Sequence, residues 1–285
     1  MNRNDFRYSE RLRVRWAEID AQKIVFNGHY LMYFDTAVAG YWRALAMPYA
    51  ETMAQLDGDM FVRKATVDYL GSARYDDVLD IAIRCERIGN SSMLFSGAVF
   101  RADRLLVTCE LVYVFADPHT QTSKPVPPSL RAVLEGFEAG QPMLEMRVGT
   151  WQELGERAQA IRTQVFIGEQ NIPAEMEWDA ADAHAVHALA SNRFGLPLAT
   201  GRLLQHAPGV GRIGRMAVSQ TVRASGVGRA VLDALIDVAR ARGDHEIVLH
   251  AQTSAQAFYD RSGFSPRGAV FEEAGIAHIE MARRL

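Results

Sequence analysis

Residues suited to anion chemistry cluster at Arg223-Ala-Ser-Gly226-Val-Gly228-Arg229, between an apolar strand-like run, Ile213 to Val218, and a helix that should begin near Gly226. Glycines at such a turn let the backbone approach a ligand closely and take positive φ. The first turn of a helix carries unpaired N–H groups and a partial positive charge. Arg223 and Arg229 flank the turn, and no carboxylate follows before Asp233. The stretch therefore suits a phosphate or pyrophosphate, although an ordinary glycine-bearing helix start has the same pattern. A second constellation lies near the N-terminus, in Trp16-Ala-Glu18-Ile-Asp20-Ala-Gln-Lys23-Ile-Val25-Phe-Asn27-Gly-His-Tyr30. It sets two carboxylates ahead of a helix start at Asn27–Gly28. A carboxylate there can be a nucleophile or a general base, or simply a loop or capping group.

The surrounding pattern supplies elements to hold these groups. Leu12 to Trp16 alternates and reads as a strand, and Tyr30 to Ala46 reads as a helix that is apolar nearly all round and so buried on most faces. Four strand-like runs follow, with Phe61, Ala65, Val67 and Tyr69; Leu79, Ile81, Ile83 and Cys85; Met93 to Phe100; and Val107, Cys109, Leu111, Tyr113 and Phe115. Prolines in Asp117 to Pro128 break the pattern, Ser129 reads as the cap of a short helix to Phe137, and Glu138-Ala-Gly-Gln-Pro142 reads as a boundary. Beyond it come a strand at 144–148 and a capping box, Thr150-Trp-Gln-Glu153, opening a helix toward Phe166. Strands at 185–191 and 198–204 precede the glycine-bearing turn. The helix after it carries Val231, Leu232, Leu235 and Val238 at helical spacing; then come a strand at 246–251, a helix at 256–262 and a last strand at 278–282.

The chain has 285 residues, a net charge of −3 and no long basic run. Neither nucleic acid nor an anionic membrane is expected as the main partner on that balance. Cys85 and Cys109 belong to no metal or redox spacing and read as reduced core thiols of a cytoplasmic protein. No metal site is expected: on a strand, His184 and His187 would point to opposite faces.

The Arg223–Arg229 turn, together with Gln252-Thr-Ser-Ala255-Gln-Ala-Phe258-Tyr259 and Gly263-Phe264, resembles the GNAT superfamily of N-acetyltransferases. Ala160-Ile-Arg162, Val165-Phe166, Glu169-Gln170 and Ala274-Gly-Ile-Ala-His278-Ile-Glu-Met281 resemble one subgroup of it over about residues 144–285. The stretch from Trp16 to Tyr30 resembles the signature of 4-hydroxybenzoyl-CoA-thioesterase-like acyl-CoA thioesterases, which have a hotdog fold; Lys23 stands where that signature has glycine. These resemblances imply an α+β chain of two domains. Residues 1–138 would form the hotdog, an antiparallel sheet wrapped round a long helix, and residues 143–285 the GNAT fold, a mixed sheet with helices on both faces.

The resemblances also imply roles. Asp20 would be the thioesterase carboxylate and the Asn27 N–H would polarise the thioester carbonyl, with Glu18 structural. Met216 and Val218 would hold the pantetheine arm through their backbones. Backbone N–H groups of Ala224, Ser225, Gly226, Val227, Gly228 and Arg229, with Arg223 beside them, would hold the pyrophosphate, and Gln252 would contact the cofactor. Tyr259 would protonate the leaving thiolate, a reading favoured over that of a core tyrosine on a short helix. Glu169, His187, His250 and His278 are all open as the transferase base. The expected protein is a bifunctional enzyme, a hydrolase and a transferase. It takes acyl-CoA and acetyl-CoA as substrates, needs no bound cofactor or metal, acetylates an amine and assembles at least as a homodimer through the hotdog. The competing expectation is an acyl-CoA-responsive regulatory protein with one or both sites decayed.

Overall fold

The computed structural model describes residues 1–285, which divide into two compact units, Met1–Met143 and Leu144–Leu285. In the first unit, β1 (Tyr8–Arg13), β2 (Asp59–Tyr69), β3 (Val78–Ile88), β4 (Ser92–Arg101) and β5 (Arg104–Ala116) form one antiparallel sheet in the order β1-β3-β4-β5-β2. Helix α1 (Asn27–Ala44) buries Tyr30, Tyr33, Phe34, Ala37 and Tyr41. Gly97 of β4 permits its close approach, since a Cβ there would lie 2.6 Å from the Phe34 ring. The predicted alternations of β3, β4 and β5 point into the core, with Leu79, Ile81, Ile83, Phe95, Val107 and Leu111 all buried. Both cysteines are buried and unpaired.

Three expectations need correction here. The first strand ends at Arg13, and Trp16 lies in a short 3-10 turn. Helix α1 is not covered on all its faces: Leu31 is 40% and Met32 55% exposed, and β2 is an edge strand with Val62, Tyr69 and most of its length exposed. Ser129 is inside a helix rather than capping it. After α2 (Tyr49–Gln55), helix α3 (Pro128–Glu138) starts at a proline, whose fixed φ and missing N–H suit that position.

The turn before α1 is closed by its own backbone. The Asp20 N–H donates to the Ile24 carbonyl at 2.9 Å, and the Lys23 N–H donates to the Asp20 carbonyl at 2.9 Å. Ile19 bridges Val25 beside it. Lys23 takes φ +59°, the left-handed region in which glycine carries no steric cost. The turn expected of a glycine is therefore made by a lysine.

The second unit is built on a seven-stranded sheet. Its strands are β6 (Leu144–Gly149), β7 (Val186–Asn192), β8 (Pro197–Ala207), β9 (Val210–Val218), β10 (Glu246–Gln252), β11 (Ser265–Glu273) and β12 (Ile276–Arg284), in the order β11-β12-β10-β9-β8-β7-β6. Only β9 and β10 are parallel neighbours. Helix α4 (Trp151–Arg162) opens with the expected capping box at Thr150 and Glu153, and runs on as a π-helical segment, Thr163–Glu169. After the single turn α5 (Ala174–Glu177) come α6 (Val227–Arg242) and the short α7 (Gln256–Asp260). Strand β11, which carries Pro266 and Gly268, was not anticipated. It is an edge strand, where a missing N–H is tolerated, and its register with β12 shifts between Arg267 and Phe271.

A buried ionic network ties α4 to the segment that follows it. Arg162, 1% exposed, bonds the Glu177 carboxylate through Nε and Asp182 Oδ1 at 2.9 Å through NH1. It lies over the rings of Trp151 and Trp178. Arg202 joins Asp182 to Asp179 at 2.7 Å each, and holds the Asp179 carboxyl down at about 2. Arg215 reaches from β9 to Glu177 at 3.3 Å and Asp179 at 3.2 Å. Removing one partner of such a network strands buried charge. Arg162→Ala is expected to destabilise the second unit by about 3–5 kcal/mol, read as an earlier denaturant midpoint. Lys23→Gly is expected to stabilise the first unit by about 0.5–1 kcal/mol, the relief of left-handed strain less the extra freedom of an unfolded glycine. An unchanged midpoint would refute the strain at Lys23.

Candidate active sites

In the first unit a cleft is lined by Asp20, Gln22, Phe26, Asn27, Tyr30 and Tyr69. The Asp20 carboxylate is half-buried, and its Oδ1 accepts the Gln22 N–H at 2.8 Å and the Ile24 N–H at 3.5 Å. The turn thus aims a carboxylate at the start of α1. That start has Phe26 as its cap residue and no side-chain cap, so no side chain claims the N–H groups of its first turn. Tyr69 donates to the Asn27 carbonyl at 3.1 Å, and the buried Tyr30 hydroxyl accepts the Ala73 N–H at 3.0 Å, which shapes the opposite wall.

Glu18 is outside this cleft chemistry. It is buried, accepts from the Arg15 N–H and Nε at 2.7 Å each, and accepts from Tyr33 OH at 2.8 Å. Desolvation works against its charge, but the donors outweigh it and hold the carboxyl below its ordinary value. Glu18 anchors the 3-10 turn to α1. His29 packs edge-on against Phe26, at 5.9 Å between ring centres.

In the second unit the site is an opening in the sheet. Strands β9 and β10 pair only from Val210/Glu246 to Arg212/Val248. Beyond that they part, while β9 stays paired to β8 as far as Val218 and β10 stays paired to β12 as far as Gln252. Each therefore presents an unpaired inner edge. The register of β9 against β8 shifts between Thr200 and Arg202, where Arg215 takes φ +52°. The opening forms a cavity of about 210 Å³, whose lining includes Met216, Gln252 and Tyr259. Tyr259 is 8% exposed, and burial pushes its phenol up to about 12, so it is a protonated donor at neutral pH.

The glycine-bearing turn lies at the outer end of β9. Gly226 caps α6 at φ +90°, with Ala224 also at positive φ, and no side chain caps the helix. Consecutive N–H groups in such a turn make an anion-binding concavity. A Cβ on Gly228 would lie 3.1 Å from the Val218 side chain. The two flanking arginines differ. Arg229 is drawn along the helix to Asp233, at 2.8 and 2.9 Å, and to Ser262 Oγ at 3.0 Å, so Asp233 neutralises the charge expected at the turn. Arg223 pairs with Glu169 through two 2.6 Å bonds and donates to the Val218 carbonyl at 3.1 Å. The neighbouring Gln170 accepts from Gln252 at 3.0 Å. Glu169, the last residue of the π-helical segment, and Gln170 after it thus reach the turn beyond β9 and the end of β10.

The candidate bases separate by location. Glu169 is held below the ordinary carboxylate range by Arg223. His187 is buried against Trp151 and bonded to the Asp182 carbonyl at 2.9 Å, and burial lowers its pKa. Only His250 and His278 line the cavity. His278 Nδ1 donates to the Ile276 carbonyl at 2.8 Å, which leaves Nε2 with the lone pair. Arg212 and Glu273 also line the cavity. Neither had been singled out: Arg212 has no motif around it, and Glu273 lies on the unanticipated β11.

Residues 157–285 match the acetyltransferase (GNAT) domain family, and residues 22–108 match the thioesterase superfamily. YjcF of Bacillus subtilis, described as an uncharacterized N-acetyltransferase, is 33% identical over 124 residues, covering 43% of this chain and 87% of that protein. A protein of Aquifex aeolicus named "Putative esterase" is 31% identical over 93 residues, covering 33% of this chain and 72% of that protein. Among solved structures, Escherichia coli ElaA is 30% identical with a TM-score of 0.45, covering 50% of this chain and 99% of that one. With these likenesses falling on different halves, the chain belongs to two families at once, the thioesterase superfamily through its first unit and the GNAT acetyltransferases through its second.

Proposed function

We propose that the protein is a bifunctional CoA-thioester enzyme, hydrolysing acyl-CoA in the first unit and transferring acetyl from acetyl-CoA to an amine in the second. The observation that carries the transferase reading is the parted pair β9 and β10. It offers an inner strand edge at Met216, and at Val218 once Arg223 withdraws from its carbonyl, to an extended amide-bearing arm, with the turn at 224–229 at one end and Tyr259 in the cavity. Arg223 has to leave Glu169 and Val218 when the arm enters, and the pyrophosphate is its natural new partner. The amine nitrogen attacks the thioester carbonyl carbon, the C–S bond breaks, and Tyr259 gives its proton to the thiolate. The proton lost by the amine leaves through the histidines of the cavity, and Tyr259 is reprotonated from solvent.

For hydrolysis, Asp20 takes a proton from water, which attacks the thioester carbonyl while the N–H of Asn27 stabilises the developing oxyanion. Asp20 then returns the proton to the leaving thiolate. Support comes from the cleft that holds both groups, and from the turn that keeps Asp20 in place despite Lys23. That intact turn favours an active site over the decayed, purely regulatory alternative.

Thiol release from an acyl-CoA panel, with and without amines, tests both halves. Asp20→Asn is expected to slow amine-independent release by about a hundredfold or more. Gly228→Asp should abolish amine-dependent release together with acetyl-CoA binding, whereas Tyr259→Phe should slow transfer and spare binding. Equal rates in wild type and Asp20→Asn would remove Asp20 from the mechanism, and retained acetyl-CoA affinity in a folded Gly228→Asp protein would remove the pyrophosphate assignment.

The first unit is further proposed to form a homodimer, supported by the exposed edge strand β2 and by the uncovered Leu31 and Met32 on α1. Sedimentation is expected to show a dimer or larger at micromolar concentration; a stable monomer active in hydrolysis would exclude it.

A further inference from the structure

Arg212 and Glu273, which line the second unit's cavity, have no role in the transfer chemistry. Arg212 stands at the last paired position before β9 and β10 diverge. Its NH2 donates to His250 Nδ1 at 3.0 Å, its one side-chain partner. Glu273 Oε2 lies 3.1 Å from that same nitrogen. The guanidinium and the carboxylate thus flank one imidazole nitrogen without pairing with each other. The two contacts exclude one another: Nδ1 accepts from Arg212 only when it carries no proton, and donates to Glu273 only when it does.

Other charged groups nearby are committed. Arg215 is tied to Glu177 and Asp179. Glu177 is buried against Arg162. Glu280, behind His250, is held by Arg267 at 2.5 Å. Arg212 has planar donors left over in a cavity, and a neutral imidazole is a poor substitute for an anion. Beside it stands a carboxylate whose one side-chain hydrogen bond is to the same imidazole, which suits an ammonium.

Resting on the transferase reading above, we propose that the acceptor is a zwitterionic amino acid, its carboxylate bound by Arg212 and its ammonium entering against Glu273. The carboxylate replaces His250 as the partner of the guanidinium and gains a two-pronged, charge-assisted contact. That frees His250 Nδ1 to turn to Glu273. The site therefore selects amines that carry an acid over simple amines of the same shape. The apolar walls at Phe166, Ile172 and Met176 are left for the side chain.

The test offers the full-length protein acetyl-CoA with the common amino acids, their carboxamides and the corresponding decarboxylated amines. N-acetyl products are measured by mass spectrometry, and acetyl-CoA affinity is measured by calorimetry in parallel. Amino acids are expected to exceed their amides and amines by about tenfold or more in kcat/KM, the range of one charge-assisted contact. Arg212→Gln should erase that preference and keep acetyl-CoA affinity. Equal use of acids, amides and amines, or a preference that survives in Arg212→Gln, overturns the proposal. So does a protein that binds acetyl-CoA and acetylates none of the panel, which would leave the transferase reading standing. Failure to bind acetyl-CoA at all would bring down both.

Discussion

Two parallel strands that stop pairing set the terms for the second unit. A sheet gains from closing every backbone hydrogen bond, and an unpaired inner edge is costly unless something else satisfies it. Strands β9 and β10 hold together for three residue pairs and then separate. The neighbouring ladders keep them apart, since β8 carries β9 to Val218 and β12 carries β10 to Gln252. The bulge at Arg215 turns β9 outward, and the side chain of that residue is anchored to Glu177 and Asp179. The buried Arg162 network fixes those carboxylates in turn. An expensive set of buried charges thus acts as a brace for an opening that hydrogen bonding alone would close.

The first unit meets a similar demand with a smaller device. Asp20 needs a turn that brings its carboxylate to the head of α1, and that turn ends in a left-handed residue. Glycine would take this conformation freely. Lys23 takes it because the hydrogen bonds from Asp20 and Lys23, and the Ile19–Val25 bridge, define the backbone on both sides. Strain of this kind persists only where the surroundings overdetermine it.

Much of the fold could be read from the chain because periodicity reports burial. Strands β3 to β5, the capping box of α4 and the apolar face of α6 all follow from local patterns. What escaped was set by neighbours distant in sequence. Strand β11 looks like a loop until β12 lies beside it. Helix α1 looks uniformly apolar, yet which of its faces is covered depends on the sheet. The site was legible where backbone conformation needs a particular residue, as at Gly226, and illegible where only side-chain convergence matters. Arg212, His250 and Glu273 come from three strands, and nothing in their spacing along the chain announces that they meet. The side chain of Arg229 flanks the turn in sequence, but it pairs with a carboxylate one turn further along the helix.

The two sites share one physical principle even though their folds differ. Helix α4, which belongs to neither reaction centre, closes its first turn with Thr150 and Glu153. Helices α1 and α6 start without any side-chain cap, at Phe26 and at Gly226. Helices α2, α3 and α5 also lack side-chain caps, each following a proline, and the short α7 starts uncapped after Ala255. Leaving α1 and α6 uncapped gives up about 1 kcal/mol at each, and it leaves the oriented donors of each first turn unclaimed by a side chain. In the functions proposed for the two units, the charge that meets these donors would develop during reaction on a thioester oxygen at α1, and would be permanent on a pyrophosphate at α6. On that proposal the same backbone feature would serve transition-state stabilisation in one unit and ground-state binding in the other. The difference is set by what stands opposite, a carboxylate at Asp20 and a parted strand ending at Val218.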